Sequence, residues 1–135
     1  PINRRVDQVR RDDDTVKTPK ITIEDIDFAM IYDSFTITVL MTLEALGFCQ
    51  VGEGKDFVKH SNLGPRGSFP INTNGGGLSY CHPGMYGIFT IVEATRQLWG
   101  ICGKRQINNP INALCHGTGG VLSSSATLIL SRESS

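Results

Sequence analysis

Ser68-Phe69-Pro70-Ile71-Asn72-Thr73, Asn74-Gly75-Gly76-Gly77-Leu78-Ser79-Tyr80-Cys81-His82-Pro83 and then Gly84 to Trp99 form the stretch whose reading decides the fold. Ser68 to Thr73 reads as a short buried strand that runs into a glycine turn, where the backbone must adopt positive φ or pass close to a neighbour. Gly84 to Trp99 then reads as a helix, with Ile88, Ile91, Val92, Thr95, Leu98 and Trp99 on one face and Gly100 as its terminator. A strand, a glycine-rich turn and a helix in succession are the unit of an α/β fold.

The flanking segments extend that reading. Ile21 to Ile31 alternates apolar and polar residues and predicts a strand ending at Tyr32. Asp33 or Ser34 can cap a helix in which Phe35, Val39, Leu43 and Leu46 recur at helical spacing and Gly47 marks the stop, although Ile37, Thr38 and Val39 are also strand formers. Gly47 to Gly67 reads as a loop with one short turn of structure. Ile111 to Cys115 and Ala126 to Leu130 read as strands around the turn His116-Gly117-Thr118-Gly119-Gly120, a closing hairpin. Ten of the 26 charged residues fall in the first twenty positions. Residues 1–20 are therefore read as a charged arm and 21–135 as one domain.

Composition narrows the function. The chain has 135 residues, with 13 basic side chains against 13 acidic ones. No excess of positive charge exists to neutralise phosphates or anionic lipid, so nucleic-acid and membrane partners are not expected. No apolar run reaches the ~18 residues that cross a bilayer and no signal-peptide pattern appears, so a cytoplasmic protein is expected. Cys49, Cys81, Cys102 and Cys115 show no C-x-x-C spacing; they read as buried free thiols, and no metal site is expected. Gly75 to Gly77 matches neither the dinucleotide fingerprint nor the phosphate-loop pattern.

Three places could carry chemistry. His82 precedes the Gly84 to Trp99 helix, where the positive end of the macrodipole favours a neutral, hydrogen-bonding ring suited to an oxyanion hole; the plain alternative is a turn or cap residue. Cys115 stands at a strand end with Gly117, Gly119 and Gly120 beyond it, which would let a substrate approach the sulfur; the plain alternative is a small core residue. Tyr32-Asp33-Ser34-Phe35 gathers a phenol, a carboxylate and a hydroxyl at a strand-to-helix junction, or is simply an N-cap with an aromatic neighbour.

Together these stretches resemble the C-terminal half of the thiolase family. Asn72-x-x-Gly75-Gly76, four residues and Cys81-His82-Pro83 resemble the pattern N-x-x-G-G-x-x-x-x-G-H-P, with Cys81 in place of the glycine. Tyr32-Asp33-Ser34-Phe35 lies where the family carries N-E-A-F, and Leu43-Glu44-Ala45-Leu46-Gly47 follows it. Cys115-His116-Gly117 lies where the family has C-x-G, and the turn beyond it is most similar to the sterol-carrier-type and lipid-metabolism branch. The resemblance covers about Ile23 to Leu130.

The resemblance implies an αβα half-fold with a mixed central sheet, acting on CoA thioesters without a cofactor. It implies that His82 is an oxyanion-hole donor, that Cys115 is an acid/base thiol and that Tyr32 replaces the asparagine of N-E-A-F. Asn72, Gly75, Gly76, Gly117 and Gly119 are implied to line the substrate. The implied activity is that of an acyl-CoA acyltransferase of the acetyl-CoA acetyltransferase type. Two other readings are a non-catalytic subunit for dimerisation or docking, and a retro-aldolase subunit for side-chain acyl-CoA. The family's nucleophilic cysteine belongs to an N-terminal half, so acyl-CoA, such a half or companion subunit, and a homo- or hetero-oligomer are the expected partners. The 135-residue chain alone is expected to show no thiolytic turnover.

Overall fold

The computed structural model describes residues 21–132; the arm assigned to residues 1–20 lies outside them. The expected strand from Ile21 shortens to β1, Phe28–Ile31. The Asp25 carboxylate explains the difference: it accepts hydrogen bonds from Thr22 N at 2.8 Å and Thr22 Oγ1 at 2.9 Å and winds Ile23–Asp25 into a helical turn. All four β1 side chains are buried, which requires packing on both faces of the sheet.

The helix after β1 is α1, Thr36–Leu46, and Gly47 ends it at φ 91°, a left-handed value that glycine adopts without Cβ strain. Neither Asp33 nor Ser34 is its N-cap residue. That position is Phe35, whose N–H donates to Thr38 Oγ1 at 3.0 Å, while Asp33 turns away toward the glycine loop. The expected loop after Gly47 contains a second helix, α2, Gly54–His60, whose first N–H is held by Glu44 Oε1 at 2.9 Å.

Ser68 to Thr73 does not form a full strand. Only Ile71 pairs with Ala29, in parallel, because Ile71 N is drawn to Leu63 O and Pro70 has no N–H to offer. The next helix, α3, spans Gly87–Leu98 and starts three residues later than Gly84, since Gly84 (φ 61°) and Met85 (φ 51°) are left-handed.

The expected hairpin is present and longer: β2, Asn112–Gly119, pairs antiparallel with β3, Ser124–Ser131, so His116 to Gly119 belong to a strand rather than a turn. β1 pairs in parallel with β2, giving a mixed sheet in the order β1-β2-β3. On one face Phe28, Met30, Ala113 and Cys115 pack against Ala94 and Leu98 of α3. On the other face Ala29, Ile31 and Leu114 meet Leu43 of α1 and the Phe48, Phe57 and Phe69 rings. The result is an αβα sandwich, and each fully buried large side chain in it contributes about 1.5–3 kcal/mol of transfer free energy.

The buried face of α3 is only partly the one its apolar residues predict: Leu98 is buried and Ile91 packs against the core, but the rest of the face is rotated. Thr90, Glu93, Ala94, Gln97 and Leu98 face inward, whereas Ile88 is 55% exposed, Val92 47% and Trp99 71%. The polar residues are tolerated inside because they satisfy one another. Arg105 donates to Glu93 through Nε at 2.8 Å and Nη2 at 3.0 Å, Thr73 Oγ1 donates to Glu93 Oε1 at 2.9 Å, and Gln97 Nε2 donates to Thr73 Oγ1 at 3.0 Å. Gln97 Oε1 accepts from Ile107 N at 2.9 Å, which closes the network onto the segment before β2.

Candidate functional site

Tyr32 follows the last residue of β1, and its N–H donates to His116 O at 2.9 Å, so the sheet fixes its backbone. Its hydroxyl shares a 3.0 Å hydrogen bond with His82 Nδ1. The two rings stack at 6.1 Å between centroids, and Tyr86 stacks on the Tyr32 ring at 5.4 Å. Two residues fifty positions apart are thus brought together as a phenol–imidazole pair. His82 is exposed, and among the described residues its Nε2 has no hydrogen-bond partner.

His82 lies five residues ahead of the first residue of α3, so the dipole of that helix, which acts within the first turn, is not what conditions the ring. Its setting comes from Tyr32 instead. Tyr86, absent from the sequence reading, is only 4% exposed and its phenol is pushed up in pKa, chiefly by burial, so it remains protonated. Its clue is its place four residues beyond His82, but the left-handed Gly84 and Met85 between them hide that proximity from any helical periodicity.

Asn72 clamps the end of β1: its Nδ2 donates to Ile31 O at 2.9 Å and its Oδ1 accepts from Ile31 N at 2.8 Å. Gly75 and Gly76 turn the chain beside it, both at positive φ. At Gly76 a Cβ would overlap the Asp33 carboxylate, so the residue must be glycine on steric grounds as well. Asp33 is buried and accepts from Gly77 N at 2.7 Å and Leu78 N at 3.2 Å. Gly117 faces Gly87 at the start of α3, with Cβ space of 3.5 Å to its Cα, and Gly119 abuts Ser124.

Cys115 does not stand at a strand end beside an open turn. It lies within β2 opposite Met30, 3% exposed, with its thiol donating to Thr90 O at 3.6 Å. Burial pushes its pKa up to about 12, so the sulfur keeps its proton at neutral pH and is not a ready base. Cys81, expected to be buried like the other thiols, is instead exposed, because the segment from Ser79 to Met85 runs along the surface. Among the described residues no group of three or more His, Cys, Asp or Glu side chains could hold a metal ion, and no helix is long and apolar enough to cross a membrane.

His116 occupies the opposite sheet face from Cys115, buried, with Nδ1 2.8 Å from Thr127 Oγ1. Burial lowers its pKa from 6.5, so the folded state binds this proton less readily than the unfolded chain. Stability from this group is therefore present above pH 6.5 and falls as pH drops through 6.5 toward the lower folded value, by at most about 1.4 kcal/mol per unit. Urea midpoints measured from pH 7.5 to 5.5 should decline for the wild type and decline less for His116→Gln.

The model of the family described as "Thiolase C-terminal domain-like" matches residues 12–132. An acetyl-CoA acetyltransferase of Methanothermobacter thermautotrophicus is 35% identical over 117 residues, which cover 86% of this chain and 30% of that protein. A steroid side-chain-cleaving aldolase of Thermomonospora curvata is 50% identical over 74 residues, covering 53% of this chain and 19% of that one. A solved structure titled "Ltp2-ChsH2(DUF35) aldolase" superposes with a TM-score of 0.71 at 39% identity, covering 83% of this chain and 28% of that chain. The chain thus spans between about a fifth and a third of the length of these relatives. With the αβα layers, the mixed sheet and the family match in agreement, the chain belongs to the thiolase C-terminal domain-like family.

Proposed function

We propose that this domain serves retro-aldol cleavage of a 3-hydroxyacyl-CoA whose C3 bears two carbon substituents, releasing a ketone and a shortened acyl-CoA, rather than acetyl transfer between thioesters. The observation that carries this reading is the pairing of Tyr32 with His82 beside a Cys115 that is locked in the core. Thiolytic chemistry needs a thiol that exchanges the α-proton; retro-aldol cleavage needs none. Its proton balance is internal: one proton leaves the C3 hydroxyl and one arrives at C2, relayed through the pair. Tyr32 accepts that proton while passing its own to His82 Nδ1. As the C2–C3 bond breaks, its electron pair moves onto the thioester oxygen, where the imidazolium stabilises the enolate and its proton is returned to C2. The aldolase relatives support this reading more directly than the acetyltransferase does.

The remaining parts of the acyl-CoA site are assigned to an N-terminal half or companion subunit. The exposed stripe of Ile88 and Val92 on α3 and Trp99 just beyond its end is the surface suited to receive it. The complete enzyme should cleave a 3-hydroxyacyl-CoA with no free CoA consumed, and Cys115→Ala should keep its rate within about threefold. Cleavage of a 3-ketoacyl-CoA that consumes one CoA per turnover and is abolished in Cys115→Ala would establish the acyltransferase instead. Turnover of neither substrate would leave the domain as a docking subunit.

A further inference from the structure

We propose that Asp33 is a positioning residue that sets the Tyr32–His82 hydrogen bond by holding the glycine loop against the end of β1; this rests on the catalytic reading of that pair. Asp33 follows Tyr32 directly, so its backbone is carried by a strand end that His116 and Asn72 already fix. Its buried carboxylate has no ion-pair partner among the described residues, and it is satisfied by two successive backbone amides, Gly77 N and Leu78 N. Such charge-assisted bonds to amides are short and directional.

Asn72 ties the start of the loop to Ile31 and Asn74 Nδ2 reaches Tyr86 Oη at 3.5 Å, while the other side-chain bonds of residues 74–80 stay within the loop. Gly76 N donates to Asn74 Oδ1 at 3.0 Å, Ser79 Oγ to Gly75 O at 2.6 Å, and Tyr80 Oη to Asn74 O at 2.5 Å. None of these three bonds ties the segment to β1. Asp33 does so across 44 and 45 residues of sequence, and His82 follows only four residues beyond Leu78. The absence of a side chain at Gly76 and Gly77 is what admits the carboxylate: a Cβ at Gly77 would stand 3.1 Å from Asp33 Oδ1. One carboxylate therefore fixes the middle of the loop, at Gly77 and Leu78, and through it where the imidazole meets the phenol.

The test separates this inference from the catalytic reading by using a signal that needs no substrate. In the 135-residue protein labelled with 15N-histidine, the His82 Nδ1 resonance should report a hydrogen bond in the wild type and lose that signature in Asp33→Ala. In the complete enzyme, Asp33→Ala should lower kcat about 100-fold with KM changed less than about threefold, the scale expected when a reacting group is displaced by about 1 Å. The pH profile of kcat should shift as the pair uncouples. Asp33→Asn keeps the size and one acceptor but places an NH2 against the second amide, so an intermediate loss of about tenfold is expected. A folded Asp33→Ala with an unchanged His82 signal and pH profile would overturn the proposal. If Asp33→Ala does not fold, Asp33→Asn with wild-type kcat and His82 signal does so. Wild-type activity in Tyr32→Phe would instead strike the catalytic reading and leave the His82 signal as the test of Asp33.

Discussion

Arg105→Ala should cost the fold about 2–4 kcal/mol at pH 7 and far less near pH 3. Breaking a buried ion pair by removing one partner typically costs about 3–5 kcal/mol, because an uncompensated charge is left inside. Here the range is discounted, since the Arg105 side chain is 37% exposed and water screens its end of the pair, while the Glu93 side chain is 4% exposed. Burial alone would raise the Glu93 pKa, but the bonds from Arg105, Thr73 and Gln97 outweigh it and hold the carboxyl below 4.5. A depressed carboxyl pKa adds stability that is present above pH 4.5 and is lost as pH falls through the folded value. Removing Arg105 removes most of that advantage, so wild type and variant should converge in acid. Adding Glu93→Gln to Arg105→Ala should recover part of the loss at pH 7, since the remaining group is neutral. Urea denaturation of the wild type and the two variants at pH 7 and pH 3 provides the check. A gap between wild type and Arg105→Ala that is the same at both pH values would refute this account.

That network also explains where the sequence misleads. Apolar periodicity locates α3 well but assigns its buried face by hydrophobicity, and Glu93 and Gln97 are buried only because Thr73, Arg105 and Ile107 reach them from distant segments. Such partners are invisible to local pattern. β1 and the β2–β3 hairpin were legible because burial on one or both faces writes itself into alternating or continuous apolar residues, as in Phe28 to Ile31 and Ala113 to Cys115. The strand start and the helix cap were misplaced by single carboxylates: Asp25 turns back to Thr22, and Asp33 prefers the amides of Gly77 and Leu78 to those of α1. At the site, the motif spacing marked Tyr32 and His82, and the fold joins them. The same spacing marked Cys115, but a motif does not reveal solvent access, which here depends on how closely Thr90 and Ala94 pack on β2.

Tyr32→Phe and His82→Ala should each lower kcat of the complete enzyme about 10²–10³-fold, roughly 2.7–4 kcal/mol of transition-state stabilisation. Phenylalanine keeps the ring that stacks on Tyr86 and removes only the hydroxyl 3.0 Å from His82 Nδ1, so its loss reports proton handling rather than packing. If the two groups work as one relay, removing the second after the first should cost no more than about tenfold. Independent roles predict that the two losses multiply, to about 10⁴–10⁶-fold. The cycle also discriminates the chemistry. In a thiolytic enzyme Cys115→Ala would be the most damaging substitution of the three, because no other group would move the α-proton. In the proposed reaction it is the mildest, a core substitution felt in stability and hardly in turnover, because Cys115 lies on the sheet face that α3 covers and its proton is held there.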